Sequence, residues 1–194
     1  MTDATGKSVS ATADAQGNYQ VPLAGLTPPF ALFATDPAGI VPPLASMVAA
    51  LPSGSSAPVI ANVTSLTTAA AALVTQSSNP LDLANAQNLS SLVTPAAVSK
   101  AVQTLNSATA DILAANDLDP KSFDPIATPF TANQTGADAA LDAIQLVPAT
   151  GSAGGLQLIS SANPNSSANL ALNAPQRPRR RFPHRPRPAH SLRH

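Results

Sequence analysis

Large apolar side chains are scarce in this chain of 194 residues, and this scarcity limits the core that it can build. Hydrophobic residues make up 44% of the sequence, but many of them are alanines, which bury little area. Residues 1–176 hold only five aromatic side chains, namely Tyr19, Phe30, Phe33, Phe123 and Phe130. Because large side chains supply most of the free energy of burial, we expect a modest core in a loop-rich protein of one domain or two small ones.

The charged residues divide the sequence at residue 177. Residues 1–176 contain three lysines, no arginine and all ten aspartates, which gives a net charge of −7. Residues 177–194 contain seven arginines and no acidic residue, which gives +7. From residue 161 onwards hydrophobic periodicity disappears and Asn, Ser, Ala and Pro dominate. We therefore predict that residues 161–194 form a disordered, Arg/Pro-rich tail.

Three explanations account for the basic end of this tail. The abrupt change in composition favours a frameshift or read-through that begins near Ala174, since GC-rich codons read out of frame yield Arg, Pro, Ala and His. Nucleic-acid or anionic-surface binding is an alternative, because arginines neutralise phosphates. Recognition by an SH3 domain is a third, because Arg180, Pro183 and Pro186 match an R-x-x-P-x-x-P pattern.

Alternating apolar and polar residues predict a β-hairpin near the N-terminus. The alternation runs over residues 8–14 and again over residues 18–23, with a short Gly/Asn loop between them. In this hairpin we expect Gly17 to adopt the left-handed conformation and Asp14 to accept amide hydrogen bonds across the loop. The apolar run Phe30–Thr35 predicts another strand, and the five prolines of residues 36–62 predict loops and short edge strands.

Helical patterns dominate after residue 62. The Ala-rich segment Ser65–Gln76 predicts one helix, and Thr94 followed by Pro95 marks the start of a second that continues to Ala115. Its buried stripe is expected at positions three and four residues apart: Val98, Val102, Leu105, Ile112 and Leu113. The side chains expected on its exposed face are Lys100, Gln103, Asn106 and Asp111.

The last structured elements are predicted to be a short helix and a hairpin. The helix runs from Thr135 to Ile144 with Asp138 near its positive end, and the hairpin pairs residues 145–148 with residues 156–160. The predicted fold class is therefore α+β. A small, incomplete antiparallel β-sandwich occupies residues 1–62, a helical region with a closing hairpin occupies residues 63–160, and the disordered tail occupies residues 161–194.

The string Asp14-Ala-Gln-Gly-Asn-Tyr-Gln-Val resembles the D-x-x-G-x-[YF]-x-[VL] signature of carboxypeptidase-regulatory-like domains. These are transthyretin-like or immunoglobulin-like β-sandwiches of bacterial surface and periplasmic proteins. The preceding Asp3-Ala-Thr-Gly-Lys-Ser-Val is similar to the earlier D-x-x-G turn of such domains. The resemblance implies an exported β-sandwich and no assigned catalysis.

A second resemblance extends the first, and together the matches run from about residue 3 to residue 160. The segments that begin at Gly25, Asn62 and Phe130 follow the order seen in uncharacterised proteobacterial secreted proteins and lipoproteins, in which a sandwich precedes a helical region. Members of that group carry a signal sequence and at least one strand before the position that matches Asp3. We therefore expect a truncated gene model or a degraded gene, and a strand-accepting module with an open sheet edge is the alternative.

The residue inventory excludes several kinds of chemistry. The chain has no Cys, and its three histidines, His184, His190 and His194, all lie in the tail. This composition excludes Ser-His-Asp and Cys-His catalysis and nearly all zinc sites in the rest of the chain. A loop with Asp117, Asp119 and Asp124 is a calcium candidate without EF-hand spacing, and the alternative is that these aspartates cap turns beside the prolines that follow them.

The expected function is accordingly non-catalytic. We predict no catalytic, cofactor-binding or metal-binding residues, no membrane span and no cofactor. The chain is expected to be a structural or adhesion-type module of the cell envelope or the extracellular space, with an unknown partner there, and a fragment of a larger secreted protein. Binding of a small ligand or glycan between sandwich and helices is one alternative, and binding of nucleic acid through the tail is the less favoured one.

Overall fold

The computed structural model describes residues 1–52, 57–149, 155–161, 167–170 and 172. Within these residues the fold has two three-stranded antiparallel sheets and several helices, which confirms the predicted α+β class. The strands are β1 (Thr2–Asp3), β2 (Phe30–Ala34), β3 (Leu44–Val48), β4 (Ile144–Pro148), β5 (Leu156–Ser160) and β6 (Ser167–Leu170). The α-helices are α1 (Ser65–Thr75), α2 (Ala86–Leu92), α3 (Pro95–Ala108), α4 (Ala110–Ala115) and α5 (Gly136–Asp142), and a 3₁₀ helix spans Pro80–Ala84.

The N-terminal sheet has the order β1-β2-β3. Phe30 pairs with Asp3 on one side and with Val48 on the other, and its side chain is almost fully buried. Helix α1 packs on β3. The described part of residues 1–62 contains one sheet, so the layer that covers it is a helix rather than the second sheet of the predicted sandwich.

The predicted N-terminal hairpin forms its turn but not its strands. Gly17 has φ +81°, and the Asp14 carboxylate accepts hydrogen bonds from the amides of Gln16 and Asn18, both as expected. However, no strand is assigned between residues 8 and 23. Almost every residue from 8 to 18 is exposed, so the alternation has no buried face that would hold two strands together.

Helix α1 lies at the centre of the molecule and packs against β3, α3 and β4. A capping box between Thr64 and Thr67 fixes its first turn. The side chains of residues 69–72 are four alanines, each at most 1% exposed. Because alanine is small, neighbouring elements approach this helix closely, and an Ala-rich sequence can therefore form a buried core element.

Two threonines of α1 also form hydrogen bonds with backbone groups at the edge of β3. The Thr67 hydroxyl donates to the Ala45 carbonyl at 2.8 Å, and the Ala45 amide donates to the Thr68 hydroxyl at 2.9 Å. Both threonines are buried. An edge strand with free amides and carbonyls invites mispairing, and here side chains of the covering helix occupy those groups at Ala45.

The helix predicted from Thr94 to Ala115 is interrupted. Thr94 caps it through the Ala97 amide as expected, but α3 ends at Ala108 and α4 starts at Ala110. Between them, the amide and hydroxyl of buried Thr109 both donate to the Leu105 carbonyl, each at 2.9 Å. A threonine hydroxyl that takes a backbone carbonyl in this way locally bends a helix.

The C-terminal sheet confirms the predicted closing hairpin and extends it. β4 pairs with β5 over Ile144–Pro148, and β6 adds a third antiparallel strand to β5. The sequence interpretation placed β6 inside a disordered tail, which is wrong for these residues. Leu170 and Leu172 are 3% and 8% exposed, and their burial binds this part of the chain to the core.

The basic residues 177–194 lie outside the described residues, so the disorder predicted for them stays a prediction. In the part of the chain that the structure describes, no helix has both the length and the apolar character needed to cross a membrane.

Candidate ligand-binding cleft

A cleft of about 320 Å³ lies between helix α3 and the loop of residues 121–124. We call it the α3 cleft. Its apolar lining is Ala49, Pro95, Val98, Val102 and Phe123. Its polar lining is Ser99, Gln103, Asn106, Lys121, Ser122 and Asp124. Its volume lies near the lower end of the range of about 300–1,000 Å³ that is usual for small-molecule pockets.

Helix α3 supplies one wall of the cleft. Val98 and Val102 are one helical turn apart and therefore lie on one face of α3. The sequence assigned both to a buried stripe, together with Leu105 and Leu113. Leu105 and Leu113 are fully buried, whereas the two valines are half-buried because the cleft opens over them.

Asn106 joins this wall to the opposite loop. Its Nδ2 donates to the carbonyls of Pro120 at 3.0 Å and Phe123 at 2.6 Å, and only 5% of the residue is exposed. The prediction that Asn106 is exposed is therefore wrong. The helical periodicity places it correctly beside the apolar face, but the loop that folds over it lies 14 to 17 residues further along the chain, beyond the range of local patterns. Asn106 is one of the residues that line the cleft, and its Oδ1 accepts no hydrogen bond from a described residue.

Asp119 fixes the shape of the opposite loop. Its Oδ1 accepts from the Lys121 amide at 3.0 Å and its Oδ2 from the Ser122 hydroxyl at 3.0 Å. Two hydrogen bonds lower the pKa of Asp119 below the ordinary value for an aspartate: first the one from the Lys121 amide, and then the one from the Ser122 hydroxyl. Hydrogen bonds to the charged form of a carboxylate stabilise that form, so Asp119 holds the loop as an anion.

Asp124 completes the loop at the far side of the cleft. Its Oδ1 accepts from the amides of Ile126 at 2.8 Å and Ala127 at 3.3 Å. Asp119 and Asp124 thus organise the turns beside the prolines that follow them, as the turn alternative predicted. Across the residues that the structure describes, Asp117, Asp119 and Asp124 do not form a group that could hold a metal ion.

A second set of aspartates organises turns in the N-terminal half. The Asp3 turn (residues 3–7), the Asp14 turn (residues 14–18) and the Asp36 turn (residues 36–41) each begin with the pattern D-x-x-G. In all three turns the carboxylate accepts hydrogen bonds from backbone amides of the residues that follow it. The first two turns were recognisable from their sequence pattern; the third was missed, although Asp36-Pro-Ala-Gly shows the same spacing.

These turns keep their carboxylates ionised. In the Asp3 turn, burial raises the pKa, but hydrogen bonds outweigh it, first from the Thr27 amide and then from Thr5 and Lys7, and the pKa falls to about 2. Hydrogen bonds from Asn18 lower the pKa of Asp14, and those from the amides of Ala38, Ile40 and Val41 lower that of Asp36. These groups therefore act as fixed anions that hold turns and not as proton donors at neutral pH.

The α3 cleft is chemically suited to binding. It presents one cationic and one anionic side chain, Lys121 and Asp124, beside an apolar wall. A second hollow of about 70 Å³ lies between α4 and the C-terminal sheet, and it is too small for a ligand of more than a few atoms.

Comparison with known proteins gives no match: no family model, no curated protein and no solved structure corresponds to this chain. The resemblance to carboxypeptidase-regulatory-like domains therefore stays a prediction that depends on the sequence patterns of residues 3–9 and 14–21.

Proposed function

We propose that the chain is a non-catalytic structural or adhesion-type module of the cell envelope or the extracellular space. The observation that carries this proposal is the role of its carboxylates. The aspartates that accept backbone amide hydrogen bonds are Asp3, Asp14, Asp36, Asp119, Asp124 and Asp138. These acidic side chains stabilise turns of the backbone, which is a structural role and not a catalytic one.

The direction of the pKa shifts supports the non-catalytic part. A carboxylic acid that donates a proton near neutral pH needs a raised pKa, as enzymes achieve by burial. The shifts resolved for aspartates in this protein are all downwards, at Asp3, Asp14, Asp36 and Asp119. Residues 1–183 also contain no histidine and the whole chain no cysteine, so catalysis by a histidine base or a cysteine nucleophile is missing from this part of the sequence.

The proposed location depends on the resemblance of Asp14–Val21 to exported domains. It is tested in the organism that encodes the chain, by treating intact cells with a protease and detecting the protein with an antibody. Loss of the protein under conditions that spare a cytoplasmic marker is the expected result. Protection equal to that of the marker, both in intact cells and after the outer membrane has been opened, would overturn the envelope location.

A screen against ester, phosphoester, glycoside and peptide substrates tests the non-catalytic part. We expect no turnover above buffer. Activity that persists after repeated purification and disappears in Asp117→Asn or Asp124→Asn, but not in the matched surface variant Asp111→Asn, would show that the chain is an enzyme.

Binding of a small ligand is a second candidate function, and the α3 cleft favours it. The cleft combines an apolar wall with polar groups on two sides, which is the usual composition of a ligand site. We expect ligands from a fragment library to shift the amide NMR signals of α3 and of residues 121–124. The variant Val102→Trp, which fills the cleft, should abolish those shifts while the signals of the C-terminal sheet stay in place. Ligand shifts that are unchanged in Val102→Trp would exclude the cleft.

A further inference from the structure

The α3 cleft has a composition that selects among small ligands. This step rests on the second candidate function, namely that the cleft binds a small molecule. At about 320 Å³ it accommodates one small molecule rather than a chain of several units. Phe123, the aromatic residue of its lining, is only 8% exposed, so no broad ring face is available for the stacking that sugars commonly use.

Hydrogen-bond acceptors remain available on one part of the lining. Both hydrogen bonds donated by the Asn106 amide go to the loop carbonyls, so Oδ1 is the hydrogen-bonding atom that this lining residue can still offer to a ligand. The two amides bound by Asp124 both contact Oδ1, so that its Oδ2 accepts from no described residue. A neutral and an anionic acceptor together suit a cationic donor such as an ammonium group.

A cationic donor is present on the same loop. Lys121 lies three residues before Asp124, is exposed and lines the cleft. Its ammonium attracts the Asp119 carboxylate and contributes to the lowered pKa of that group, but it donates no hydrogen bond to a described residue. Its backbone is held by the Asp119 carboxylate, so the base of this side chain is fixed while its charged end can reach a ligand.

We propose that the α3 cleft binds a zwitterionic α-amino acid with an aliphatic side chain. The ligand ammonium interacts with Asp124 and the Asn106 carbonyl oxygen, and the ligand carboxylate interacts with Lys121. The aliphatic side chain packs on Val98 and Val102, which are half-buried without a ligand. No bond is made or broken in this event, which fits a binding module.

Isothermal titration calorimetry of the full chain with L-leucine tests this assignment. We expect saturable binding at one site per chain. Two analogues each lack one charge: L-leucinamide has no carboxylate, and 4-methylpentanoic acid has no ammonium. Because a hydrogen bond to a charged group contributes strongly, each analogue should bind at least about tenfold more weakly. Glucose, which is neutral, should not bind.

Variants locate the charges of the site. Lys121→Gln and Asp124→Asn should each weaken leucine binding about tenfold or more, whereas Lys100→Gln and Asp111→Asn, exposed and outside the cleft, should leave it unchanged. Asn at position 124 keeps an acceptor for the turn amides, and a thermal melt checks that each variant folds. The analogue series needs no variant at all.

The outcomes separate the two proposals. If the analogues bind as well as leucine, or if glucose binds and leucine does not, the cleft remains a ligand site and the amino-acid assignment is overturned. If neither leucine, its analogues, glucose nor the fragment library perturbs α3 at millimolar concentration, both the assignment and the ligand-binding function are overturned.

Discussion

The Asp3 turn and the Asp14 turn have the same sequence pattern and the same local hydrogen bonds. In each, the carboxylate Oδ1 accepts from the amides two and four residues later, at 2.8–2.9 Å, and a glycine three residues later has a positive φ, +86° at Gly6 and +81° at Gly17. The Asp amide also donates to the carbonyl four residues later at 2.9 Å in both turns.

The two turns differ in what surrounds them. Asp3 is fully buried, its Oδ2 accepts from the Thr27 amide at 2.9 Å, and its backbone pairs with Phe30 in the sheet. Asp14 is exposed, and its Oδ2 accepts from the side chain of Asn18 within the same turn. A D-x-x-G sequence therefore determines the shape of a turn, and tertiary contacts determine whether the fold depends on it.

Replacing the two aspartates should give the largest difference. Asp3→Ala removes a buried carboxylate that accepts hydrogen bonds from the amides of Thr5, Lys7 and Thr27 and from the Thr5 hydroxyl, and the bond from Thr27 links the turn to a distant part of the chain. We expect a fall in the thermal unfolding midpoint several times larger than the fall caused by Asp14→Ala, as followed by circular dichroism.

Asp14→Ala is the matched control, because its turn is identical but exposed and water can replace the lost acceptor. Equal falls in the two variants would contradict the comparison and would show that both turns contribute only local structure.

Lowering the pH should selectively remove the stabilisation that the ionised Asp3 carboxylate gives to the fold. Its pKa is about 2 in the folded protein and 3.8 is the ordinary value, so the folded state binds its proton less readily than the unfolded state. A lowered pKa stabilises the fold fully above the ordinary value, and this stabilisation disappears as the pH falls from about 4 to about 2.

The measurement compares urea unfolding of the wild type and Asp3→Asn across this pH range. The two stabilities should differ most above about pH 4 and should converge towards pH 2. A difference that stays constant from pH 6 to pH 2 would mean that the charge of Asp3 does not contribute.

The glycines of the two turns should also differ. An L-residue with a side chain in the left-handed region costs about 1–2 kcal/mol, and Gly6→Ala should lower the free energy of unfolding by this amount because the Asp3 turn is part of the folded core. Gly17→Ala meets no atom within 4 Å of the added Cβ, so only the backbone opposes it. Because residues 8–18 form no strands, that turn can open locally, and we expect a loss below about 0.5 kcal/mol.

Chemical denaturation measures both glycine variants, and Gly6→Asn and Gly17→Asn serve as controls, since Asn tolerates the left-handed region better. Similar losses at positions 6 and 17 would show that the Asp14 turn is as firmly coupled to the fold as the Asp3 turn.

The same contrast explains what the sequence could predict. Turns and caps are set by neighbouring residues, so Gly17, the Thr94 cap and the β4–β5 hairpin follow from local patterns. Strand pairing depends on a buried face, which residues 8–18 lack and which β6 obtains from Leu170 in contact with the core. Local sequence patterns do not show whether a predicted strand will have a buried face in the folded protein.

The α3 cleft illustrates the same limit. The sequence indicated the Val98 and Val102 stripe and the turn-forming Asp119 and Asp124, which are four of the residues that build the site or line it. It could not place them together, because the link between them is Asn106, whose amide meets a loop 14 to 17 residues further along the chain.

The last prediction concerns Tyr19, whose side chain connects the Asp14 turn to the rest of the fold. Half-buried Tyr19 follows this turn, its hydroxyl donates to the Ala61 carbonyl, and burial raises its pKa. Tyr19→Phe keeps the ring and removes this hydrogen bond, so we expect a loss of about 0.5–1.5 kcal/mol in the free energy of unfolding.

Amide hydrogen exchange of Asn18 distinguishes where this loss acts. If the Tyr19 hydroxyl holds the Asp14 turn against the rest of the fold, the Asn18 amide should exchange faster in Tyr19→Phe than in the wild type. The Lys7 amide has the equivalent place in the Asp3 turn and serves as the control, because its exchange rate relative to global unfolding should stay the same. Unchanged exchange at Asn18 would show that the Asp14 carboxylate alone maintains the turn. The two turns would then differ only in burial, and Tyr19 would contribute nothing to the coupling between the Asp14 turn and the core.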